Sequence, residues 1–176
     1  MAKRKKSEIV FTPELILELN LSSSKKKSII TIKTLDDSIE ILEGIKDVVD
    51  DHIVLIYLDI NNVVVGIDAF LRDMKDLNKE QPNRALSRTI LNYSSSKAVR
   101  KVIIVQTFPD IESPTSKTIN LNDLANFTLK IVLFEIEVID CILMGKNNYF
   151  SFKRNKKAWN LLKEKMKLRK KLWGLK

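Results

Sequence analysis

Apolar runs separated by short polar segments predict a series of strands. The runs Ile53–Leu58 and 102–105 are apolar throughout and of strand length, which is typical of strands buried on both faces. The turn-forming residues 59–62 separate the first run from 63–67, so these two segments predict a hairpin. Further extended segments are predicted at 8–11, 29–32, 138–144 and 149–152, the last as an edge strand.

Three segments with helical spacing of apolar residues lie between these runs. The first follows Thr34, an expected N-cap with acidic residues after it, and extends to residue 45. The second begins at Pro82 and covers 82–93. The third has Asn122 or Asp123 as its expected cap and extends to about Phe134. Helices between buried strands of one mixed sheet predict an α+β fold, an α/β sandwich.

The scarcity of two residue types excludes several classes of protein. Of 176 residues one is a cysteine, Cys141, and one a histidine, His52, so neither a disulfide framework nor a cysteine zinc site is expected. Zinc hydrolases usually take two or three histidines from their own chain. We expect His52 to be a surface residue beside the carboxylates of 50–51, and Cys141 to be a small buried thiol.

No apolar stretch has the eighteen or so residues that a transmembrane helix requires. The basic N-terminal residues also lack the long apolar core of a signal peptide. A cytoplasmic location is therefore the expectation, without a transmembrane segment.

Positive charge is concentrated at both ends of the chain. Residues 153–176 contain 11 Lys and Arg and the single acid Glu164, whereas 28–152 contain 13 basic and 18 acidic residues, a net charge of −5. Residues 1–27 contain seven basic and three acidic residues. The division predicts a basic N-terminal extension with a short strand (1–27), a domain (28–152) and a basic amphipathic C-terminal helix (153–176).

At helical spacing, the apolar residues of the C-terminal helix form two adjacent stripes. One contains Trp159, Leu162, Met166 and Trp173, and the other Leu161, Leu168, Leu172 and Leu175. The helix could pack on its own domain, contact DNA or RNA, or bind a partner protein or an anionic membrane surface. The candidate nucleic-acid-binding residues are Lys153, Arg154, Lys156, Lys157, Lys163, Lys167, Arg169, Lys170 and Lys171, with Trp159 and Trp173 for stacking on bases.

Residues 138–145 and 149–152 read Val-Ile-Asp-Cys-Ile-Leu-Met-Gly and Tyr-Phe-Ser-Phe. They resemble, in register, a motif of the RadC-like branch of the JAB/JAMM/MPN domains. That motif reads Leu-Leu-Asp-His, three apolar residues, Gly, three further residues and then Tyr-Tyr-Ser-Phe. The order hairpin, helix, strand, Pro-containing loop, helix, strand is similar too. The N-terminal stretch also resembles short RadC-like proteins of the Bacteroidota, which place a similar strand and helix before the hairpin. The resemblance, over about 8–152, implies a cytidine-deaminase-like mixed sheet flanked by helices.

Active members of that family bind zinc with a His-x-His-Pro-Ser-Gly motif and a following Asp, and use a Glu from the hairpin as general base. Pro109 is retained here, and Ser116 matches the family serine. The two histidine positions hold Gln106 and Phe108, the Asp position falls on Ile119 or Asn120, and the Glu position on Asp68 or Ala69. Phenylalanine cannot bind a metal and a carboxamide is a poor zinc ligand. The resemblance therefore implies a pseudoenzyme without catalytic residues, metal or cofactor.

Together these features predict a non-catalytic RadC-like domain that serves as an accessory or scaffold subunit. It would contact nucleic acid through its basic termini and a protein through its acidic body. Two alternatives remain. One is a JAMM-type hydrolase with atypical ligands or ligands from a partner chain, and the other is a mobile-element or phage protein that acts by binding a protein.

Overall fold

The computed structural model describes residues 30–45, 52–70 and 99–174. These contain three helices and five strands, so the predicted α+β class is confirmed. The helices are α1 (Leu35–Ile45), α2 (Leu121–Val132) and α3 (Lys156–Leu172). The strands are β1 (Ile53–Leu58), β2 (Val64–Phe70), β3 (Lys101–Thr107), β4 (Glu137–Met144) and β5 (Tyr149–Ser151).

The five strands form one mixed sheet in the order β2-β1-β3-β4-β5. Strand β1 is antiparallel to both β2 and β3, β3 and β4 are parallel, and β4 is antiparallel to β5. The predicted hairpin and the predicted edge strand are confirmed. The segment at 30–32 extends beside the start of β2, where the amide of Val64 donates to the Ile30 carbonyl over 2.9 Å.

Helices cover both faces of the sheet and create two apolar cores. Helices α2 and α3 pack on one face, and α1 packs on the other. All six residues of β1 are 0% exposed, which explains why its sequence is apolar at every position rather than at alternate ones. We call the two sides of the sheet the α2/α3 face and the α1 face.

The starts of the helices depend on local side-chain caps. At α1 the predicted cap is confirmed, because Asp37 N donates to Thr34 Oγ1 over 3.3 Å and Thr34 N donates to Asp37 Oδ2 over 2.7 Å. The predicted cap of α2 is wrong. Asn120 is the cap, and its Oδ1 accepts from Asn122 N over 2.9 Å. The predicted strand at 8–11 and helix at 82–93 lie outside the described residues.

The surface position expected for His52 is also wrong, since this residue is 6% exposed. Its backbone extends the pairing of β1 with β3: Thr107 N donates to the His52 carbonyl over 2.9 Å, and His52 N donates to Thr107 Oγ1 over 2.8 Å. The expected burial of Cys141 is confirmed at 1% exposure, and burial raises the pKa of its thiol.

In the three described ranges no helix is both long and apolar enough to cross a membrane.

Candidate functional site

Helix α3 is attached to the domain by one of its two apolar stripes. Its first turn is capped by Asn155, whose Oδ1 accepts from Ala158 N over 3.0 Å. Ala158 and Leu162 are buried at 6% and 0% exposure in the core that α2 also lines, and Trp159 and Met166 pack against the same core. The first half of this stripe therefore holds α3 on the α2/α3 face. Trp173, predicted to share it, is 40% exposed.

Basic side chains cover most of the surface of α3, although Lys165 and Arg169 are half-buried near the packed stripe. The helix carries eight Lys and Arg residues and the single acid Glu164. At 100° per residue, Lys156, Lys163, Lys167 and Lys170 fall within a sector of about 60° beside the packed stripe. Lys163 Nζ also lies 5.4 Å from the centre of the Trp159 ring, a cation–π contact. We call these four residues the lysine stripe.

The second apolar stripe does not pack on the described part of the domain. Leu161, Leu168 and Leu172 are 46%, 57% and 75% exposed. They lie on the other side of α3 from the lysine stripe, within a sector of about 40°. Helix α3 therefore presents a cationic surface and a narrow apolar surface in separate directions.

The link between β5 and α3 contains two of the predicted nucleic-acid-binding residues, Lys153 and Arg154. Arg154 makes an intramolecular ion pair with Asp36 of α1 over 3.2 Å and donates to the Tyr149 hydroxyl over 3.2 Å. Both ion-pair side chains are largely exposed, so this pair contributes little to stability. It nevertheless directs the Arg154 guanidinium toward α1 and away from the lysine stripe.

Asp140 anchors this link to the sheet. The Ser151 hydroxyl donates to Asp140 Oδ2 over 2.6 Å, and the backbone amides of Cys141 and Lys153 donate to Oδ1 over 2.7 and 3.0 Å. Burial raises the pKa of Asp140, and these three hydrogen bonds oppose that rise. The Asp and Ser of the motif at 138–152 are therefore joined in the structure, a contact that the sequence did not predict.

The positions that match the family's metal ligands are occupied by residues with structural contacts or by buried polar groups. Phe108 packs against the core of the α2/α3 face, Asn120 caps α2, and Ser116 lies in the loop before it. Gln106 and Asp68 are 5% and 3% exposed. Among the described residues, no three His, Cys, Asp or Glu side chains are grouped to hold a metal ion.

Asp68 and Gln106 lie on the same face of the sheet but not side by side. Asp68 pairs with Leu55 of β1, and Leu55 and Gln106 both project from the α2/α3 face, as the register of β1 with β2 and β3 requires. Strand β1 separates the two residues by two strand spacings, about 10 Å. In the described part of the chain neither Asp68 Oδ2 nor Gln106 Oε1 has a hydrogen-bond partner. This arrangement supplies one buried carboxyl group that can exchange a proton.

Burial raises the pKa of Asp68 from 3.8 to about 6, and the Tyr57 hydroxyl opposes the rise only in part. Above pH 6 the folded protein holds a buried carboxylate. As the pH falls from 6 toward 4 the folded state takes up a proton before the unfolded state does, so this group becomes less destabilising. We expect Asp68→Asn to raise the free energy of unfolding by about 2 kcal/mol at pH 7.5, with the gain shrinking toward pH 4.

Urea unfolding of the wild-type protein and of Asp68→Asn at pH 4.5 and pH 7.5 measures this difference. The exposed Asp110 provides the matched control, because Asp110→Asn should leave the pH dependence unchanged. A gain from Asp68→Asn that is the same at both pH values would contradict the assignment.

Comparison with known proteins does not test the family resemblance at 138–152. No family model matches the chain, and no curated protein is significantly similar to it.

Proposed function

We propose that this chain is a non-catalytic domain of the RadC-like JAB/MPN type that binds nucleic acid through α3 and serves as an accessory or scaffold subunit. One observation carries the proposal. Helix α3 is held on the domain by Ala158 and Leu162, while Lys156, Lys163 and Lys167 of the lysine stripe are exposed beside the packed residues. The lysines are therefore positioned before any partner binds, which reduces the entropy lost on binding.

The arrangement of the sheet supports the family part of the proposal. The described chain begins with a helix and a hairpin and ends with parallel β4 beside β3 and the short antiparallel β5, with helices on both faces. The residues that carry the resemblance each have a structural role: Asp140 and Ser151 bond to one another, and Gly145 lies tightly against the loop that follows β3. These contacts give a physical reason for finding Asp, Gly and Ser at these positions of the motif.

The contacts of the replaced ligand residues support a non-catalytic role. Phe108 contributes apolar surface to the core and Asn120 contributes a helix cap, so both side chains stabilise the domain. One observation favours the alternative of a hydrolase: a buried carboxyl group with a pKa of about 6, as at Asp68, is suited to act as a general base. Stoichiometric zinc in the purified protein would favour that alternative over a non-catalytic domain.

The spacing of the lysine stripe supports nucleic acid as the partner. Lys156 and Lys170 are 14 residues apart, which is about 21 Å along a helix. Duplex DNA carries one phosphate per about 1.7 Å of its axis, so several phosphates lie within reach of one face of α3. Trp159 packs on the core beneath Lys163, which leaves Trp173, at the end of α3, as the aromatic residue for stacking on a base.

A salt titration of the full chain with duplex DNA, single-stranded DNA and structured RNA tests the proposal. We expect the double variant Lys163→Gln/Lys167→Gln to weaken binding to duplex DNA by about tenfold or more near 0.1 M salt. It should reduce the slope of log affinity against log salt by about 2, since each phosphate contact contributes about 0.9. Glutamine preserves helix propensity, so α3 should remain folded.

The control removes the same charge from a different surface. Lys117 and Lys146 are exposed and lie in loops outside α3, and Lys117→Gln/Lys146→Gln should leave the slope nearly unchanged. An equal loss of slope in both double variants would show that only net charge matters. That result, or no binding by the wild-type chain at low salt, would overturn the proposal.

A further inference from the structure

A cavity of about 500 Å³ lies on the α1 face of the sheet, apart from the packed stripe of α3. The start of α1, the β1–β2 turn, the first residues of β3 and β4, and the link from β5 to α3 all contribute to its wall. Its apolar lining includes Ile32, Ile103 and Ile139, and its polar lining includes the side chains of Lys33, Lys101, Lys153 and Arg154. The cavity thus combines apolar surface with cations from three separate segments of the chain.

An irregularity in β4 shapes one wall of this cavity. Val102 pairs with Val138 but Ile103 pairs with Asp140, so Ile139 is an extra residue in β4. Such a bulge turns neighbouring side chains toward the same side of a sheet. Ile139 and Asp140, although consecutive, both line the cavity.

The charges around the cavity favour an anion. Four basic residues line it, against two acidic residues, Glu137 and Asp140, and one of the four, Arg154, is already paired with Asp36 of α1 over 3.2 Å. Both oxygens of the buried Asp140 already accept hydrogen bonds from Ser151, Cys141 and Lys153. Three donors of the protein itself therefore already occupy the Asp140 carboxyl oxygens, while burial raises the pKa of this group.

The polar groups at the cavity differ in how far they are already engaged. Lys101 Nζ donates to the Ile60 carbonyl over 3.0 Å and to Asn62 Oδ1 over 2.7 Å, so it fixes the β1–β2 turn. Because Asn62 Oδ1 accepts from Lys101, its NH₂ group is the part of the carboxamide that can donate to a ligand. Lys33 and Lys153 are both exposed, and they come from the segment before α1 and from the link before α3.

From this arrangement we propose that the cavity binds a phosphorylated small molecule of about mononucleotide size. The phosphate lies between Lys33 and Lys153, and the planar or apolar part of the ligand lies against the isoleucine side chains. A volume of about 500 Å³ is within the range of about 300–1,000 Å³ that small-molecule sites occupy. This site is separate from the lysine stripe, and its occupancy does not depend on nucleic-acid binding by α3.

Calorimetric titration and thermal unfolding of the full chain test the site, with AMP, inorganic pyrophosphate and adenosine as probes. We expect AMP and pyrophosphate to bind and to raise the unfolding temperature, because a ligand that binds only the folded state stabilises it. Adenosine, which lacks the phosphate, should bind much more weakly. Lys33→Gln/Lys153→Gln should weaken AMP binding by about tenfold or more, since charge-assisted contacts to phosphate are among the strong ones.

The variant Lys117→Gln/Lys146→Gln removes the same charge away from the cavity and should leave AMP binding unchanged. The single variant Lys33→Gln should weaken AMP binding while leaving the salt slope of DNA binding unchanged, because no residue of the lysine stripe lines the cavity. The inference is overturned if neither AMP nor pyrophosphate binds, if adenosine binds as well as AMP, or if the cavity variants bind AMP normally. None of these results would bear on DNA binding by α3.

Discussion

Replacing Gly145 with alanine is expected to lower the free energy of unfolding by about 3 kcal/mol. A Cβ atom at this position would overlap the Ile111 carbonyl oxygen, and it would lie 2.6 Å from Pro114 Cδ and 2.9 Å from the Glu112 carbonyl oxygen. Two of these neighbours are backbone atoms, which cannot rotate away as a flexible side chain would. The loop after β3 or the β4–β5 turn would have to move.

Hydrogen bonds oppose that movement. Lys146 N donates to the Ile111 carbonyl over 2.7 Å, and Asn147 Nδ2 donates to Glu112 Oε2 over 2.7 Å. The turn and the loop are therefore joined on both sides of Gly145, and separating them would break these bonds. Urea unfolding monitored by circular dichroism gives the free energy directly.

Gly174 provides the control. Gly174 follows α3 with a φ of +67° and has no atom within 4 Å of the position of a Cβ. Gly174→Ala should cost about 1 kcal/mol or less, because the strain is local and at the end of a helix. Equal effects of the two alanine variants would show that the close contacts around Gly145 do not determine the loss of stability, and would contradict the prediction.

Asp140→Ala is expected to lower the free energy of unfolding by about 4 kcal/mol. The change leaves the Ser151 hydroxyl and the amides of Cys141 and Lys153 without their common acceptor. Each buried donor that loses its partner costs about 1–3 kcal/mol. The asparagine variant should cost much less, because its side-chain oxygen can still accept from the two backbone amides.

The comparison of Asp140→Ala with Asp140→Asn separates hydrogen bonding from charge. If charge dominated, both variants would lose similar stability; we expect the alanine variant to lose at least twice as much. Asp110→Ala, at an exposed loop position, should stay within about 0.5 kcal/mol of the wild type. Stability of Asp140→Ala equal to that of the asparagine variant would contradict the assigned network. The measurement is urea unfolding at pH 7.5.

These two predictions concern the residues that carry the family resemblance. Gly145 positions the loop that follows β3, and Asp140 positions the link that leads into α3. In the proposed function, the loop after β3 keeps its position although the residues that match the family's metal ligands are replaced. The link between β5 and α3 sets the direction in which α3 leaves the sheet. The same contacts that stabilise the domain would thereby orient the lysine stripe.

The sequence by itself determined the elements whose signal is local. The unbroken apolar run of β1 predicted a strand covered on both faces, and the four residues after it predicted the hairpin. Thr34 and Asp37 are three residues apart, so their mutual capping required no contact with the rest of the chain. The segregation of charge onto α3 was also visible, because helical spacing depends only on neighbours along the chain.

Only the tertiary structure decided which side chains are covered. His52 is polar and follows two acids, yet pairing with Thr107, which is 55 residues away, buries it. The two apolar stripes of α3 are equivalent in sequence, and the position of α2 selects the one that packs. The cavity on the α1 face is formed by segments between residues 32 and 154. Burial and cavity walls depend on contacts between distant segments, which the spacing of residues along a chain does not encode.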